Sequence, residues 1–267
     1  MIEIFMFLAI PAIAISSFLM AKGLRVRKYV IPTEISELKG KRMVAFSDLH
    51  MSALTTPAQL KRCVDCINSF HPEYVFFVGD AIKRKNPSYR QSTAKRIKWL
   101  LGRVNAEGGR FAVWGNHDKN PDGSINKYAE MFIGKNGYTV LTNDGCYIAD
   151  GVYLAGVDET RRSSADIEKA LEKSNPGDYV ILLAHEPDFA DVAAENKVAL
   201  QISGHSHGGQ IYIPFTGSLF LTPGAKKYYR GTHKIKDTDL LISYGVGAHT
   251  LPFRFLAPPD IILIEWK

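Results

Sequence analysis

The sequence predicts an α/β protein in which two mixed β-sheets pack face to face and helices flank them. Through the first two thirds of the 267 residues, short apolar runs alternate with helical patterns, whereas the last third is mostly strand-like. Strands that alternate with helices, followed by strands with few helices, are typical of two sheets covered by helices. With 46% hydrophobic residues, the chain can bury a substantial core, and we expect one domain over residues 24–267.

An uncharged segment over residues 4–21 is the first element in order. At about 1.5 Å per helical residue, it is long enough to cross most of a hydrocarbon core. A cleavable signal peptide is the rival interpretation, but no basic residue precedes the apolar run, which disfavours it. Basic residues from Lys22 to Lys28 follow the run. By the positive-inside tendency, we predict a single-pass transmembrane anchor over residues 1–23 with a cytoplasmic domain, the alternative being an extracytoplasmic one.

Five apolar runs then predict buried strands, and the first three are separated by helical patterns. Thr56 and Pro57 have the residue types that favour the N-cap and the first position of a helix. Between the third and fourth strands, turn residues break up residues 140–157 into short strands, so we expect mixed sheets. The five predicted strands cover residues 43–46, 74–78, 111–114, 179–184 and 198–203.

The bulk composition excludes several classes of protein. A formal charge of +6 and a pI near 9.1 suit an anionic substrate or a membrane surface. The basic residues are spread out, however, and we expect no nucleic-acid partner, since such a partner favours a basic stripe. Three cysteines are too few for a disulfide framework and favour a reducing compartment. We predict no protein partner.

Each of the five strands is followed by side chains that bind metals or move protons. In extended backbone, His205 and His207 point to the same side about 6–7 Å apart, so both can reach one point. These polar groups could instead be satisfied within the core, but burying several unpaired groups together costs several kcal/mol, which metal coordination relieves. The candidate metal ligands are Asp48, His50, Asp80, Asn116, His185, His205 and His207, and His117 and Asp118 lie next to them in sequence.

These motifs together resemble the calcineurin-like metallophosphoesterase superfamily over residues 40–267. The matching blocks are Asp48-Leu49-His50, Gly79-Asp80, Gly115-Asn116-His117-Asp118, His185 and Gly204-His205-Ser206-His207. Residues 204–210 are similar to a membrane-associated branch that carries threonine where this chain has Ser206. That branch includes phosphodiesterases and UDP-2,3-diacylglucosamine pyrophosphatases.

The resemblance implies a four-layer sandwich fold and a pair of divalent metals bridged by Asp80. Mixed nitrogen and oxygen ligands suit manganese, iron or zinc better than calcium or copper, and we favour manganese. Two cations about 3.5–4 Å apart can clamp a phosphoryl group and generate a bridging hydroxide as nucleophile, so we expect a hydrolase of a phosphodiester or pyrophosphate bond. In the implied division, Asp48, His50 and His207 hold one metal, and Asn116, His185 and His205 hold the other.

Two catalytic residues are predicted beside these ligands. His117 is the candidate general acid toward the leaving oxygen, and Asp118 is expected to orient its ring and raise its pKa as a neighbouring carboxylate does. The alternative is that His117 is a structural turn residue.

The sequence offers candidate residues for substrate binding. They are two apolar loops, at 213–221 and 251–256, and two arginines, Arg230 and Arg254. The arginines could meet phosphate charge, and the loops could form a lipid-accessible wall or ordinary core. We expect a phosphorylated lipid or nucleotide-linked lipid, such as UDP-2,3-diacylglucosamine, at a membrane. The alternatives are a phosphodiesterase of soluble substrates and a non-catalytic, membrane-tethered binding module.

Overall fold

Two six-stranded sheets form the body of the protein in a computed structural model, which describes residues 15–51, 56–83, 89–248 and 253–267. The first sheet has the order β1 (Arg25–Ile31), β14 (Asp260–Trp266), β2 (Arg42–Phe46), β3 (Tyr74–Val78), β4 (Gly109–Val113) and β5 (Thr139–Val140). The second has the order β12 (Thr232–Ile235), β13 (Thr238–Ile242), β9 (Leu200–Ser203), β8 (Tyr179–Leu183), β7 (Val152–Gly156) and β6 (Asp144–Ala149). A two-stranded hairpin consists of β10 (Tyr212–Ile213) and β11 (Gly217–Ser218).

Both sheets are mixed, as the sequence predicts. In the first, β2, β3 and β4 are parallel, and β14 runs antiparallel to β2 but parallel to β1. In the second, β7, β8, β9 and β13 are parallel, and antiparallel edge strands β6 and β12 close it on either side. Parallel neighbours end at the same edge of a sheet, and this edge holds the polar turns described below.

The helices form two outer layers. The longest are α1 (Pro57–Ser69) and α2 (Gln91–Leu101), and α1 begins with the predicted Thr56 cap, whose side chain accepts the Gln59 N–H. The other helical elements are a segment over residues 15–21, α3 (Lys127–Ala129) with the π-helical turn Glu130–Gly134, α4 (Ile167–Leu171), the 3₁₀ turn Pro187–Phe189, α5 (Ala190–Glu195) and the 3₁₀ turn His207–Gly209.

Alternation along the strands divides the core into layers. On β2, Val44 and Phe46 pack with α1 and α2 on the outer face of the first sheet. Met43 and Ala45 point the other way and pack against β8 and β9 of the second sheet. The far side of the second sheet carries α4 and α5. Because neighbouring strand residues face opposite sides, one short apolar run serves both layers, and the predicted α/β fold with two facing mixed sheets is confirmed.

The predicted transmembrane anchor is wrong for the part of the chain that the structure describes. Residues 4–14 of that segment lie outside the described residues, and residues 15–21 are helical. None of the described helices combines the length and the apolar character needed to cross a membrane. Ala21 is buried, and the Ser17 carbonyl accepts the backbone N–H of Arg254 at 3.1 Å. Residues 15–21 thus pack on the domain, and the predicted single-pass membrane localisation is corrected accordingly.

Candidate metal centre

The seven predicted ligands converge where the parallel strands of both sheets end. Turns after β2, β3 and β4 supply four of them from the first sheet, and turns after β8 and β9 supply three from the second. All seven side chains are at least 96% buried: Asp48, His50, Asp80, Asn116, His185, His205 and His207.

The titratable ligand atoms fall into overlapping groups whose members lie within 4.8 Å of one another. Asp48, His50 and His207 form one group, in which Nε2 of His50 is 3.0 Å from Nε2 of His207. Asp80, His185 and His205 form another, in which Nε2 of His185 is 3.2 Å from Nδ1 of His205. The structure therefore places His205 and His207 in different groups, although only one residue separates them.

Asp80 lies between the two groups. Its Oδ2 is 3.6 Å from Nε2 of His50 and 3.4 Å from Nε2 of His185. Its Oδ1 accepts the backbone N–H of His117 at 2.8 Å. One carboxylate oxygen thus faces a histidine of each group, which is the geometry that a bridging ligand requires.

The donor atoms fit divalent cations. Among the described residues, Oδ1 of Asp48 and Oδ1 of Asn116 are buried without a hydrogen-bond partner. Leaving a buried acceptor unsatisfied costs about 1–3 kcal/mol, and a cation between these oxygens and the facing imidazole nitrogens removes that cost. The other oxygen of Asp48 accepts hydrogen bonds from the Ser47 hydroxyl and from the His205 backbone N–H, which holds Oδ1 toward the group.

Backbone carbonyls orient the second group of histidines. Nδ1 of His185 lies 2.7 Å from the Val78 carbonyl, and Nε2 of His205 lies 2.9 Å from the Pro223 carbonyl. A carbonyl can only accept, so these nitrogens carry protons, and the opposite nitrogens, Nε2 of His185 and Nδ1 of His205, face the cluster. Such partners fix ring orientation and raise the basicity of metal-binding histidines. Burial, and then the charge of His185, lower the pKa of His205 to about 4, which keeps its ring neutral.

The carboxylates that face the histidines are held ionised. Burial alone would raise the pKa of Asp80, but the charges of His185 and His117 outweigh it and hold that pKa well below its usual range. Burial likewise opposes ionisation of Asp48, where the nearby rings of His207 and His50 lower the pKa. Burial lowers the pKa of His185, but the charge of Asp80 outweighs it and raises that pKa well above its usual range. A cation bound there would therefore take the place of a proton.

The ligand backbone is unusual. Asp48, His50, Asp80, His205 and His207 all have positive φ, between 41° and 66°, a region that non-glycine residues enter uncommonly. Such conformations cost on the order of 1–3 kcal/mol each and cluster at functional sites. The turns are also tight, because a Cβ at Gly204 would lie 2.5 Å from Oδ2 of Asp48.

Asp118 binds backbone rather than standing over a substrate. It is fully buried, and its Oδ2 accepts the N–H groups of Asp80 at 2.7 Å and Gly115 at 3.0 Å. Its Oδ1 accepts the N–H groups of Ala81 at 2.8 Å and Ile82 at 3.4 Å. These bonds fix the turn that carries Asp80. They are a structural role for Asp118 that differs from the predicted orientation of the His117 ring.

His117 lies at the rim of the centre. It is half-buried, and its ring centroid is 4.8 Å from that of His50. His50, Asp80 and His117 also form a group of possible ligand atoms. The ring therefore stands beside the candidate metal centre, and the general-acid role stays a prediction.

The two arginines differ in placement. Arg254 is fully buried, and its guanidinium donates to the carbonyls of Gly245, Gly247 and Ala257. Substrate contact does not fit this position. Arg230 is half-buried, and its guanidinium lies 3.6 Å from the ring centroid of Tyr212 on the β10–β11 hairpin.

Sequence reasoning missed two buried carboxylates, Glu159 and Glu186. Burial raises the pKa of Glu186 to about 7, although the charge of His185 acts against this rise. Burial also raises the pKa of Glu159. The signal was present in the sequence, since Glu186 follows His185 directly and Glu159 lies three residues past β7, at the edge where the other ligands lie.

A two-sheet α/β fold with histidine and aspartate groups that share one carboxylate defines a metal-dependent phosphoesterase. The calcineurin-like phosphoesterase family matches residues 41–209. The chain belongs to that family, as its motifs indicate, and calcineurin-like phosphoesterases use a dinuclear metal centre.

Three relatives illustrate the similarity. The chain is 35% identical over 235 residues to the metallophosphoesterase YkuE of Bacillus subtilis (strain 168), a match that covers 85% of this chain and 79% of that protein. It is 28% identical over 257 residues to a metallophosphoesterase of Aquifex aeolicus (strain VF5), covering 91% and 92%. It is 26% identical over 289 residues to the UDP-2,3-diacylglucosamine pyrophosphatase LpxG of Chlamydia trachomatis serovar D, covering 88% and 86%.

Proposed function

We propose that this phosphoesterase uses two divalent cations to hydrolyse a phosphodiester or pyrophosphate bond in a substrate that also carries an apolar group. The observation that carries the proposal is the position of Asp80, whose Oδ2 faces His50 at 3.6 Å and His185 at 3.4 Å. Asp48, His50 and His207 would hold one cation, and Asn116, His185 and His205 the other. When bound, the pair would polarise the phosphoryl group and supply a nucleophile from water.

The chain's own residues supply positioning and a proton. Asp118 fixes the turn of Asp80 through four backbone N–H groups. His117, at the rim, would donate a proton to the leaving oxygen, and its backbone N–H bond to Asp80 at 2.8 Å keeps it beside the centre. Manganese, iron and zinc suit these nitrogen and oxygen donors, and we propose manganese.

The apolar part of the substrate is inferred from residues 210–223. Both ends of this segment bind the second-sheet histidines: the Gln210 N–H donates to the His207 carbonyl at 2.9 Å, and the Pro223 carbonyl is 2.9 Å from Nε2 of His205. Phe215 is 108% exposed and Phe220 64% exposed. Exposed aromatic side chains beside a site mark an apolar ligand or partner, and the name of the relative LpxG supports an acylated, nucleotide-linked substrate.

A second apolar loop lies beside this segment. The Phe255 carbonyl accepts the Tyr212 N–H at 3.0 Å, and Leu256 is 41% exposed. Residues 251–252 of this predicted loop lie outside the described residues. Arg230 lies on the Tyr212 ring, and in this proposal it would meet an anionic group of a substrate that lies along the hairpin.

The reaction class is tested with bis(p-nitrophenyl) phosphate. We expect the chelator-treated protein to be inactive, manganese to restore turnover, and Asp80→Ala to abolish it. Asp122→Ala is the matched control, because Asp122 is exposed and belongs to a neighbouring turn. Unchanged turnover in Asp80→Ala would refute the role of the shared carboxylate.

The substrate class is tested by comparing UDP-2,3-diacylglucosamine with the same UDP-sugar lacking acyl chains. Phe215→Ser and Phe220→Ser should lower kcat/KM for the acylated substrate about tenfold, since burying part of a phenyl ring contributes on the order of 1.5 kcal/mol. The other substrate should be unaffected. Trp99→Ser is the control, because Trp99 is 57% exposed on α2. Equal turnover of both substrates, insensitive to the hairpin, would favour a phosphodiesterase of soluble substrates.

A further inference from the structure

Arg254 is a fully buried cation next to the metal centre. A charge without solvent is tolerated only where hydrogen bonds satisfy it, because removing an ion from water costs several kcal/mol. Its guanidinium makes such bonds with two parts of the centre, and each part supports a different ligand.

The first part is His207 itself. Nη1 of Arg254 donates to the His207 carbonyl at 3.4 Å, and Nη2 lies 3.1 Å from Nδ1 of the ring. The guanidinium therefore bonds the backbone of His207 and lies behind its ring, whose Nε2 is 3.0 Å from Nε2 of His50 and 3.5 Å from Oδ1 of Asp48.

The second part is the loop behind Asp48. Nη2 of Arg254 donates to the carbonyls of Gly245, at 3.1 Å, and Gly247. The N–H of Gly247 in turn donates to the Asp48 carbonyl at 2.8 Å, and a Cβ at Gly245 would lie 2.5 Å from Cβ of Asp48. The loop thus lies directly against Asp48, and Arg254 sets the loop's distance from His207.

We propose that Arg254 is a positioning residue that holds Asp48 and His207 in register and so sets the cation affinity of the half-site formed by Asp48, His50 and His207. The inference rests on the two-metal centre of the proposed function. The other half-site uses backbone carbonyls, of Val78 for His185 and of Pro223 for His205. Loss of Arg254 should therefore affect one half-site and spare the other.

The test is manganese binding by the full-length, chelator-treated protein without substrate, followed by electron paramagnetic resonance. Arg254→Lys keeps the charge but loses the planar set of donors, so a change in affinity reports geometry. We expect one of the two manganese affinities to fall about 10–100-fold, as substitutions of residues that orient metal ligands typically do. The other should stay within about twofold, as for an independent site.

Double variants identify the half-site. In a His207→Ala background, Arg254→Lys should cause a smaller further loss, through the loop behind Asp48 alone, whereas in a His205→Ala background its full effect should remain. Arg110→Lys is the matched control, because Arg110 is a part-buried arginine that also donates to backbone carbonyls, those of Leu101 and Gly102, away from the centre. Wild-type affinities in Arg254→Lys, or an equal loss at both sites, would overturn the proposal.

A measurement on the wild-type protein covers the case in which the variants fail to fold. In the metal-free protein labelled with ¹⁵N-arginine, the Nη protons of Arg254 should exchange slowly with solvent, because the side chain is buried and donates to the carbonyls of His207, Gly245 and Gly247. Fast exchange of these protons would contradict the contacts. Because no substrate is used, failure to hydrolyse any phosphoester would leave this result standing and would count only against the proposed function.

Discussion

Asp118→Asn should loosen the turn that presents Asp80 while leaving the shape of the side chain almost unchanged. In the native protein, both carboxylate oxygens accept pairs of backbone N–H groups. The asparagine amide keeps one oxygen but replaces the other with an NH₂ group, which can only donate. Two backbone N–H groups then face a donor instead of an acceptor.

The magnitude follows from those two groups. A buried donor without a partner costs about 1–3 kcal/mol, so the two N–H groups that lose their acceptor should cost about 2–6 kcal/mol. Burial and the charge of Asp80 raise the pKa of Asp118 to about 7, so removal of the buried carboxylate offsets part of this cost at neutral pH. The cost is a large share of the 5–15 kcal/mol typical of a folded domain. Because Asp118 is fully buried, solvent cannot replace the lost acceptor.

The assay is urea denaturation of the chelator-treated protein, followed by circular dichroism, with manganese affinity measured on the same samples. Asp122→Asn is the control: Asp122 also accepts a turn N–H, that of Ser124 at 3.0 Å, but is exposed. A surface change of this kind should stay within about 0.5 kcal/mol.

Two outcomes would refute this reasoning. If Asp118→Asn unfolds at the wild-type urea concentration, the backbone bonds do not hold the turn. If stability and metal affinity are unchanged but hydrolysis is lost and the pH profile of kcat shifts, Asp118 acts on the His117 ring, as the motif alone predicts.

Three further predictions concern the same edge of the sheets. Gly204→Ala should cost at least about 1–3 kcal/mol of stability, the typical penalty of overpacking, because its Cβ would lie 2.5 Å from Oδ2 of Asp48. Thermal unfolding measures this loss, and an unchanged Tm would contradict it. Glu186→Gln should stabilise the metal-free protein at pH 8 by up to about 3 kcal/mol, the equivalent of the pKa rise, since burial raises the pKa of Glu186 from 4.5 to about 7. The wild-type carboxyl is protonated in the folded protein below that pKa, so the difference in stability between the wild type and the glutamine variant grows as pH rises from about 4.5 to 7. In urea titrations this difference should be small at pH 5. A difference that does not depend on pH would contradict the prediction. Manganese at about 100 times its Kd should add about 2.7 kcal/mol of stability, and calorimetry with and without chelator measures that gain; no rise in Tm would argue against a preformed centre.

The parts of the fold that the sequence predicts are those governed by local periodicity. The runs at 43–46 and 74–78 form β2 and β3, and polar residues after them lie at one edge because parallel strands end together. That rule places Asp48 and Asp80 correctly without any knowledge of long-range contacts. The same rule applies to Glu159, which follows β7, and it would place this residue at the same edge.

The sequence does not predict contacts between residues that are far apart along the chain. An arginine in an apolar loop, such as Arg254, is as compatible with phosphate contact as with burial, and only the loop at 245–247 decides between them. Three of the N–H groups that donate to Asp118 come from residues 80–82, about forty positions away in sequence. Residues 15–21 have the composition of a membrane segment, yet Ala21 is buried against the domain.

The insertion of β14 between β1 and β2 has a consequence for synthesis on the ribosome. Arg27 of β1 forms its 2.5 Å ion pair with Asp260 of β14 across a separation of 233 residues. Until residues 260–266 leave the exit tunnel, β1 has no neighbour in its sheet and β2 keeps an open apolar edge. Such unpaired edges favour aggregation of nascent chains. A stalled or prematurely terminated product lacking β14 would therefore depend on chaperones, even though the segments that carry all seven ligands had already been made.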